Sequence, residues 1–566
     1  MLRPSCFLAR ATAPLAACLL AGALPAAASA QYPQQLVDFG SGIATTGDQT
    51  GYSVAILGDV NGDGTDEMII GAPYDDDNGT DSGTVYVVNG YPGTILYEKH
   101  GSSPGNHFGW SVANIGDTDN DGVDDFLVGS PGTDFNGTDT GGITAYSGKS
   151  GVSLYSQLGP KPGSQFGYTV AGGGDITGDG WGDFLVGAPY WDTSASTENK
   201  GWAGVYSGHT GAQVKFFNGT NLSSRMGSAL AIVGDLDGDD RADYAIGSPG
   251  YDYTILFTTY TDAGMIGVYS GADHSSIWTK RGGAGDQLGT SLAGVGDTDH
   301  DGQLEVLTGA PGFKAGQGEA LLCQGPFGDT VQQLLGNNYT TADLFGTTVG
   351  ALGDVNHDGH VDLLVGAPLD TFTVGLGGYV EAFSGKTYAS YSVIASSIGG
   401  DSVGSAVSQN AGDLSGDDWT DVLVGWPFND FAGTSCGLAR SYTLTYGQPN
   451  LNFQGPGISS LGMYGTQLFP GGVADMGLWY SKPNSPAFLV SSAVELIAPF
   501  KDGTLVPNPS LALIVPFVTD AQGKVKLTDI PGGGGPLIVF MQFLIQDNNQ
   551  PKGWQISNAI AAEFLP

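Results

Sequence analysis

The sequence predicts an all-β protein, a seven-bladed β-propeller followed by a small C-terminal β-sandwich-like domain. Three observations carry this. An aspartate-rich string returns seven times, alternating apolar runs bounded by Gly and Pro flank every copy, and the composition leaves little room for helix. Of 566 residues, 94 are Gly and 29 Pro, and each Gly costs a helix about 1 kcal/mol relative to Ala. Hydrophobic residues make up 40% of the chain, enough to build a core, so this is not a disordered acidic polymer. The 57 acidic against 19 basic residues leave a net charge of -38. Phosphate recognition needs basic patches, so nucleic acid is excluded as a partner and cations are favoured.

The elements follow in order. Arg3 and Arg10 precede a low-charge stretch that ends in Ala28-Ser29-Ala30, which reads as a secretory signal peptide over residues 1–30. No later run approaches the roughly 20 apolar residues of a membrane helix, so the expected location is extracellular or cell-surface, with the periplasm also open. Residues 31–447 carry the repeat. Its strings start at Asp59, Asp117, Asp175, Asp235, Asp297, Asp354 and Asp413, spaced 58, 58, 60, 62, 57 and 59 residues apart. A constant period of this size marks a repeat architecture. Before each string lies an apolar alternation, as in Trp110-Ser111-Val112-Ala113-Asn114-Ile115, and after it a run such as Phe126-Leu127-Val128. A third run (Thr84-Val85-Tyr86-Val87-Val88) and a fourth (Ile95-Leu96-Tyr97) complete four strands per repeat. Seven four-stranded units close radially and leave only short edges. The seventh repeat lacks a fourth strand of its own, and residues 35–38 lie where fourth strands precede the other repeats. The N-terminal strand is therefore expected to complete blade seven. Residues 448–566 hold only 7 acidic and 5 basic residues, with short apolar runs between Pro and Gly clusters. They are read as a separate β-rich domain of unassigned role.

Within the repeats, Phe108-Gly109, Phe166-Gly167 and Phe345-Gly346 precede the strings, and Gly71-Ala72-Pro73, Gly187-Ala188-Pro189, Gly309-Ala310-Pro311 and Gly366-Ala367-Pro368 follow them. This pairing resembles the FG-GAP repeats that form the blades of the integrin alpha-chain propeller. Thr50, Met226, Leu288 and Val403 replace the Phe in blades one, four, five and seven, and Gly425-Trp426-Pro427 replaces Gly-Ala-Pro in the last. The resemblance implies a calcium-binding extracellular adhesion or binding module.

The strings themselves have the oxygen spacing that a hard divalent cation takes. Calcium accepts six to eight oxygens at about 2.3–2.6 Å, and side chains at positions one, three, five and nine, with the carbonyl of position seven, can wrap one ion. Position one is Asp in every copy. Position three is Asn61, Asp119, Thr177, Asp237, Asp299, Asn356 and Ser415; position five is Asp63, Asp121, Asp179, Asp239, Asp301, Asp358 and Asp417. Position nine is Glu67, Asp125, Asp183, Asp243, Glu305, Asp362 and Asp421. An EF-hand would need Glu at position twelve, where the second copy has Val128 inside a strand, so the expected site is a β-hairpin calcium loop, up to seven in all. The competing reading is that Asp and Gly recur because they make good turns. A carboxylate at position nine in all seven copies argues against it. Loops two, five and six have the fullest ligand sets. Thr177 and Ser415 weaken position three, and Asp240 and Asp418 replace the position-six Gly in loops four and seven.

No nucleophile elbow, His-Glu-x-x-His or Cys-x-x-Cys is present, and His100, His107, His209 and His274 read as solvated surface. The expectation is a non-enzymatic binding module for protein or glycan, probed against the alternative of a carbohydrate-active enzyme. Segments after each Gly-Ala-Pro emerge opposite the aspartate loops and carry aromatics. Tyr190, Trp191, Tyr251, Tyr253 and Tyr260 are the candidate partner-binding residues, the last three on a long insertion in blade four. Cys323 and Cys436, the two cysteines beyond the leader, are open to pairing or to burial as thiols.

Overall fold

The computed structural model describes residues 32–40, 44–192, 198–336, 342–355, 359–369, 377–396, 400–416, 420–430 and 433–445, and the backbone of strands between Ser460 and Phe564. The signal peptide reading and the positions Asn356, Asp358 and Asp417 lie outside the described residues.

Seven four-stranded antiparallel sheets form a ring. Blade two shows the pattern: Ser111–Gly116 innermost, then Asp125–Ser130, Gly142–Tyr146 and Ser153–Leu158. The second strands are buried throughout (Glu67–Ala72, Asp125–Ser130, Asp183–Ala188, Asp243–Ser248, Glu305–Ala310, Asp362–Ala367, Asp421–Trp426). They read as continuous apolar runs because both of their faces are covered by neighbouring blades. Fourth strands such as Ile95–His100 alternate between exposed and half-buried positions at the rim. Apart from one turn at Phe313–Gly316, the described residues contain no helix. None is long and apolar enough to cross a membrane.

Among the described residues there is no single core. Seven apolar clusters each lie between two adjacent blades, the last joining blade seven to blade one through Phe39, Ile56, Tyr86 and Leu423. Phe166 (1% exposed) plugs one such interface, where it bridges Gly141 of the preceding blade. Thr50, Met226, Leu288 and Val403 are buried at the equivalent place, and Thr50 bridges Gly437 to close the ring. What that position requires is a buried plug, and several side chains meet the need.

The first Gly of Gly-Ala-Pro answers a different need. Ser53 Oγ donates to Gly109 O of the next blade at 2.8 Å, and Ser291 Oγ to Gly346 O at 2.8 Å. A Cβ on Gly309 would stand 1.8 Å from that same Gly346 carbonyl. Gly309→Ala is therefore expected to cost roughly 2 kcal/mol or more through overpacking, read as a lowered denaturant midpoint. An unchanged midpoint would show that the blades do not approach this closely.

Blade seven is completed from the other end of the chain, as its missing fourth strand predicts. Tyr32–Phe39 pairs antiparallel with Leu438–Thr445, from Tyr32↔Thr445 to Phe39↔Ala439, with one register shift between Gln35 and Val37. Asp38 accepts from Arg440 Nη2 at 3.1 Å across this pair. Cys323 and Cys436 are buried thiols on different blades, not bonded to each other, and Cys436 Sγ donates to Asn429 O. Beyond the propeller, one sheet joins Ser460–Gly465, Val473–Trp479 and Val525–Pro531. A five-stranded sheet is centred on Pro486–Ser492 and Leu537–Gln546.

Candidate functional site

Each aspartate loop joins an innermost strand to the second strand of its blade, so all seven open on one face. A register shift just before the loop, between Asn114 and Gly116 in blade two, adds local twist where the chain turns. The position-one carboxylate then folds the loop around itself. Asp59 Oδ1 accepts from Gly62 N (2.7 Å) and Oδ2 from Gly64 N (2.9 Å). Asp117, Asp175 and Asp235 accept from the equivalent N–H groups at 2.6–3.2 Å. Asp297 and Asp354 accept from Gly302 N and Gly359 N at 3.0 and 2.9 Å. This much is ordinary Asx-turn chemistry.

Three further features exceed what a turn needs. Carboxylates converge within 4.8 Å in four loops: Asp59, Asp63 and Glu67; Asp117, Asp119 and Asp125; Asp235, Asp237 and Asp239; and Asp297, Asp299, Asp301 and Glu305. Position nine, the first residue of each second strand, is 0% exposed in all seven blades. It ties the loop to the sheet: Asp125 accepts from Thr118 N and Gly148 N, Asp183 from Thr177 N and Gly208 N, and Asp243 from Leu236 N and Gly271 N. Finally, Glu305 Oε1 and Asp297 Oδ1 are buried oxygens with no hydrogen-bond partner. Such orphaned acceptors are costly without a counter-ion.

The electrostatics agree. Burial, then the neighbouring Asp63 and Asp59, pushes the Glu67 carboxyl up to about 8. Burial, with Asp299 and Asp297 adding repulsion, pushes Glu305 up to about 7. Asp125 and Asp243 are raised to about 6, again chiefly by burial. A divalent cation would supply the charge these sites lack, and the all-oxygen donor set suits a hard ion.

The loops differ from one another in ways the sequence ranks imperfectly. Loop four gathers three carboxylates although Asp240 replaces its Gly, because Asp240 adopts the left-handed conformation itself (φ 67°). Among the described residues loop three forms no such set, Thr177 offering its backbone N–H to Asp183 instead. Asp413 of loop seven accepts from Ser415 Oγ at 3.4 Å, and its own N–H donates to Asp66 Oδ2 of blade one. Outside the loops, Asp75, Asp77 and His100 also converge, with Thr84 Oγ1 bridging Asp75 Oδ1 and His100 Nδ1.

The innermost strands surround a central channel of about 580 Å³ that runs from Gly116 and Asp124, at the aspartate-loop ends, to the opposite face. The residue after the Phe-Gly position is Tyr52, Trp110 and Tyr168 in blades one to three, and all three line this cavity. Their rings form an arc at its mouth: Tyr52–Trp110 at 4.7 Å and Trp110–Tyr168 at 5.4 Å between centroids. Tyr74 and Tyr190 extend it, 6.3 Å from Tyr52 and 5.7 Å from Tyr168. Burial, then the Tyr190 hydroxyl, pushes the Tyr168 phenol up to about 12, and Arg225 opposes the shift. In blades four to seven the same position is Ser228, Thr290, Thr347 and Ser405, so the mouth is aromatic on one side and hydroxylic on the other. Sequence reasoning missed this arc. The signal was the residue next to each Phe-Gly, which becomes legible only when the repeats are stacked by position.

The five candidate partner residues separate. Tyr190 joins the arc. Its neighbour Trp191 instead packs near Trp202 (6.0 Å) beneath Lys161 Nζ, with its indole N–H buried. Tyr253 and Tyr260 stack on each other at 4.7 Å, and Tyr251 lies under the Arg281 guanidinium. The histidines divide: His100 and His209 are exposed, His209 stacking on Trp181 (4.5 Å), whereas half-buried His107 packs against Tyr74 (5.0 Å) and half-buried His274 meets Tyr244 Oη through Nδ1 at 3.0 Å.

Comparison with known proteins matches the FG-GAP repeat family to residues 50–88, 166–205, 288–322 and 345–388, in blades one, three, five and six. Integrin alpha-V of Gallus gallus is 32% identical over 221 residues, covering 36% of this chain and 20% of that protein. Integrin alpha-PS2 of Drosophila melanogaster is 28% identical over 252 residues, covering 40% of this chain and 17% of that protein. The chain thus spans about a fifth of the length of these relatives. Among solved structures, the V. cholerae biofilm matrix protein Bap1 aligns over 94% of this chain and 70% of its own at 15% identity, with a TM-score of 0.30, too loose a superposition to bear on function. Four of the seven blades thus match FG-GAP repeats, and over roughly two fifths of its length the chain is similar to integrin alpha chains.

Proposed function

We propose that the mature protein, residues 31–566 after loss of a leader at 1–30, is an extracellular binding or adhesion module. Its propeller (31–447) is held in shape by calcium in the aspartate loops and takes a protein or glycan ligand on the opposite face. The proposed role is binding, not catalysis.

The observation that carries this reading is the aromatic arc at the cavity mouth. Large rings on loops over a rigid scaffold bring apolar area at low entropic cost, and a concave site rimmed by a few polar groups is the usual form of a ligand pocket. Three of these rings come from one repeat position in successive blades, 58 residues apart. The calcium loops lie at the far ends of the same innermost strands, so an ion there stiffens the strands that present the arc.

The test is a glycan array and a calcium-supplemented pull-down of extracellular proteins, each run with the wild type and with Trp110→Ala and Tyr190→Ala. Each substitution is expected to weaken binding by roughly 2 kcal/mol, about thirtyfold, the scale of an aromatic hot spot. Binding that survives both substitutions but disappears when residues 448–566 are removed would move the site to the C-terminal domain.

A further inference from the structure

The connection between the second and third strands of blade four is a two-stranded ribbon, Tyr253–Ile255 paired with Thr258–Tyr260. Its turn is Leu256-Phe257, and both residues have positive φ, 47° and 74°. Two-residue hairpin turns of this kind ordinarily take Asn-Gly or Asp-Gly, and a bulky side chain there is strained. The side chains gain no burial in return: Ile255 is 51% exposed, Leu256 88% and Phe257 102%. Behind this apolar tip the ribbon is braced. The Tyr253 and Tyr260 rings stack with 5° between planes, Tyr253 Oη donates to Gly282 O at 3.0 Å, and the Arg281 guanidinium lies 5.2 Å from the Tyr253 ring. Asp252 Oδ1 accepts from Asp262 N at 2.7 Å to close the base. In a chain of net charge -38, the eight residues from Tyr253 to Tyr260 carry no charge at all.

We propose that this hairpin inserts its tip into a zwitterionic lipid surface. Shape selects lipid over a protein partner. Three side chains on a convex two-residue turn can bury only a few hundred Å², well below the roughly 1,000 Å² of a specific protein interface. A fluid acyl boundary needs no matching pocket and receives apolar side chains directly. The order along the ribbon is also that of an interfacial anchor: an apolar tip, then the Thr254 and Thr259 hydroxyls, then a tyrosine pair at headgroup depth. Beside its base stands Leu222, 60% exposed, on a loop whose Asn221 side chain donates to Asp252 O. The ribbon itself carries no cation, Arg281 at its base is engaged on the Tyr251 and Tyr253 rings, and the chain as a whole is strongly acidic, which together select a neutral surface over an anionic one.

The experiment floats the full-length mature chain with phosphatidylcholine vesicles, and in parallel with vesicles containing phosphatidylserine. The wild type is expected to float with phosphatidylcholine. Phe257→Asp and Leu256→Asp are each expected to reduce the bound fraction at least tenfold, the scale of losing one buried large apolar side chain. Neither should lower the melting temperature, because neither side chain packs in the fold, and Leu256→Gly should raise it slightly by relieving the turn. Failure of the wild type to float, flotation of Phe257→Asp at the wild-type level, or binding that requires the anionic lipid would each overturn the proposal. So would a concentration-dependent dimer in sedimentation that Phe257→Asp abolishes without any vesicle binding, since that outcome assigns the tip to a second copy of the chain.

Discussion

Stripping divalent cations from the protein with a chelator is expected to lower its melting temperature by on the order of ten degrees, and calcium is expected to restore it. A ligand bound only to the folded state stabilises it by RT ln(1 + [L]/Kd), roughly 1.4 to 2.7 kcal/mol per site at ten to one hundred times Kd. Four loops gather three or more carboxylates within reach of one ion, so their combined contribution is roughly 6 to 11 kcal/mol. Extracellular calcium modules commonly have Kd of about 10⁻⁴ to 10⁻³ M, so about 10 mM calcium supplies that ten- to one-hundredfold excess, and magnesium, which demands a smaller octahedral shell, should substitute poorly. Asp301→Ala should remove one ion from the stoichiometry read by native mass spectrometry. Glu305→Gln separates ion binding from burial. Glu305 is 0% exposed with Oε1 unpartnered, so removing its charge should relieve repulsion in chelator and cost stability in calcium. The variant is therefore expected to match or exceed the wild type without cations and to fall below it with them. Fewer than three bound ions at millimolar calcium, or a melt indifferent to chelation, would leave the loops as turns.

Deleting residues 31–40 is expected to destabilise the whole ring rather than one edge of it. The deletion removes a strand paired over seven positions, from Tyr32↔Thr445 to Phe39↔Ala439. It also removes Val37 and Phe39, 7% and 5% exposed, from the cluster joining blades seven and one. Burying two such side chains contributes roughly 3 to 6 kcal/mol, a large share of the 5 to 15 kcal/mol that holds a typical domain together. The deletion variant should melt many degrees lower or be recovered aggregated, since it exposes the edge of Leu438–Thr445 for pairing with other chains. Phe39→Ala isolates the packing part, at roughly 3 to 5 kcal/mol for a buried Phe. A wild-type melt for the deletion variant would place the closure of the ring elsewhere.

Much of this architecture is legible because it is local. Period-two alternation and Gly and Pro punctuation act within about ten residues, and so do the four ligand positions of each loop. Strand order, the aspartate loops and their common face could therefore be read from one repeat and multiplied by seven. The clasp was legible for a related reason: residues 35–38 stand at the offset from the first string that fourth strands keep from the others, so spacing alone assigned them to blade seven.

Ring closure decided the rest. Tyr52, Trp110 and Tyr168 lie 58 residues apart, and only the stacking of blades brings their rings within 4.7 to 5.4 Å of one another. Tyr190 and Trp191 are adjacent in sequence, yet one joins the cavity mouth and the other packs beside Trp202, because a loop leaving a strand sends successive side chains to different neighbours. In the blade-four insertion the run Tyr253-Thr254-Ile255-Leu256-Phe257 reads as a strand, and no Gly or Asn announces the turn that exposes its apolar end. Local sequence thus determined the blade and its aspartate loop, where the position-one carboxylate and the amides it accepts from lie within five residues. The aromatic mouth of the cavity, the burial of the position-nine carboxylates and the exposed hairpin tip depend on surfaces that other blades cover or leave open, and those were settled only when the ring closed.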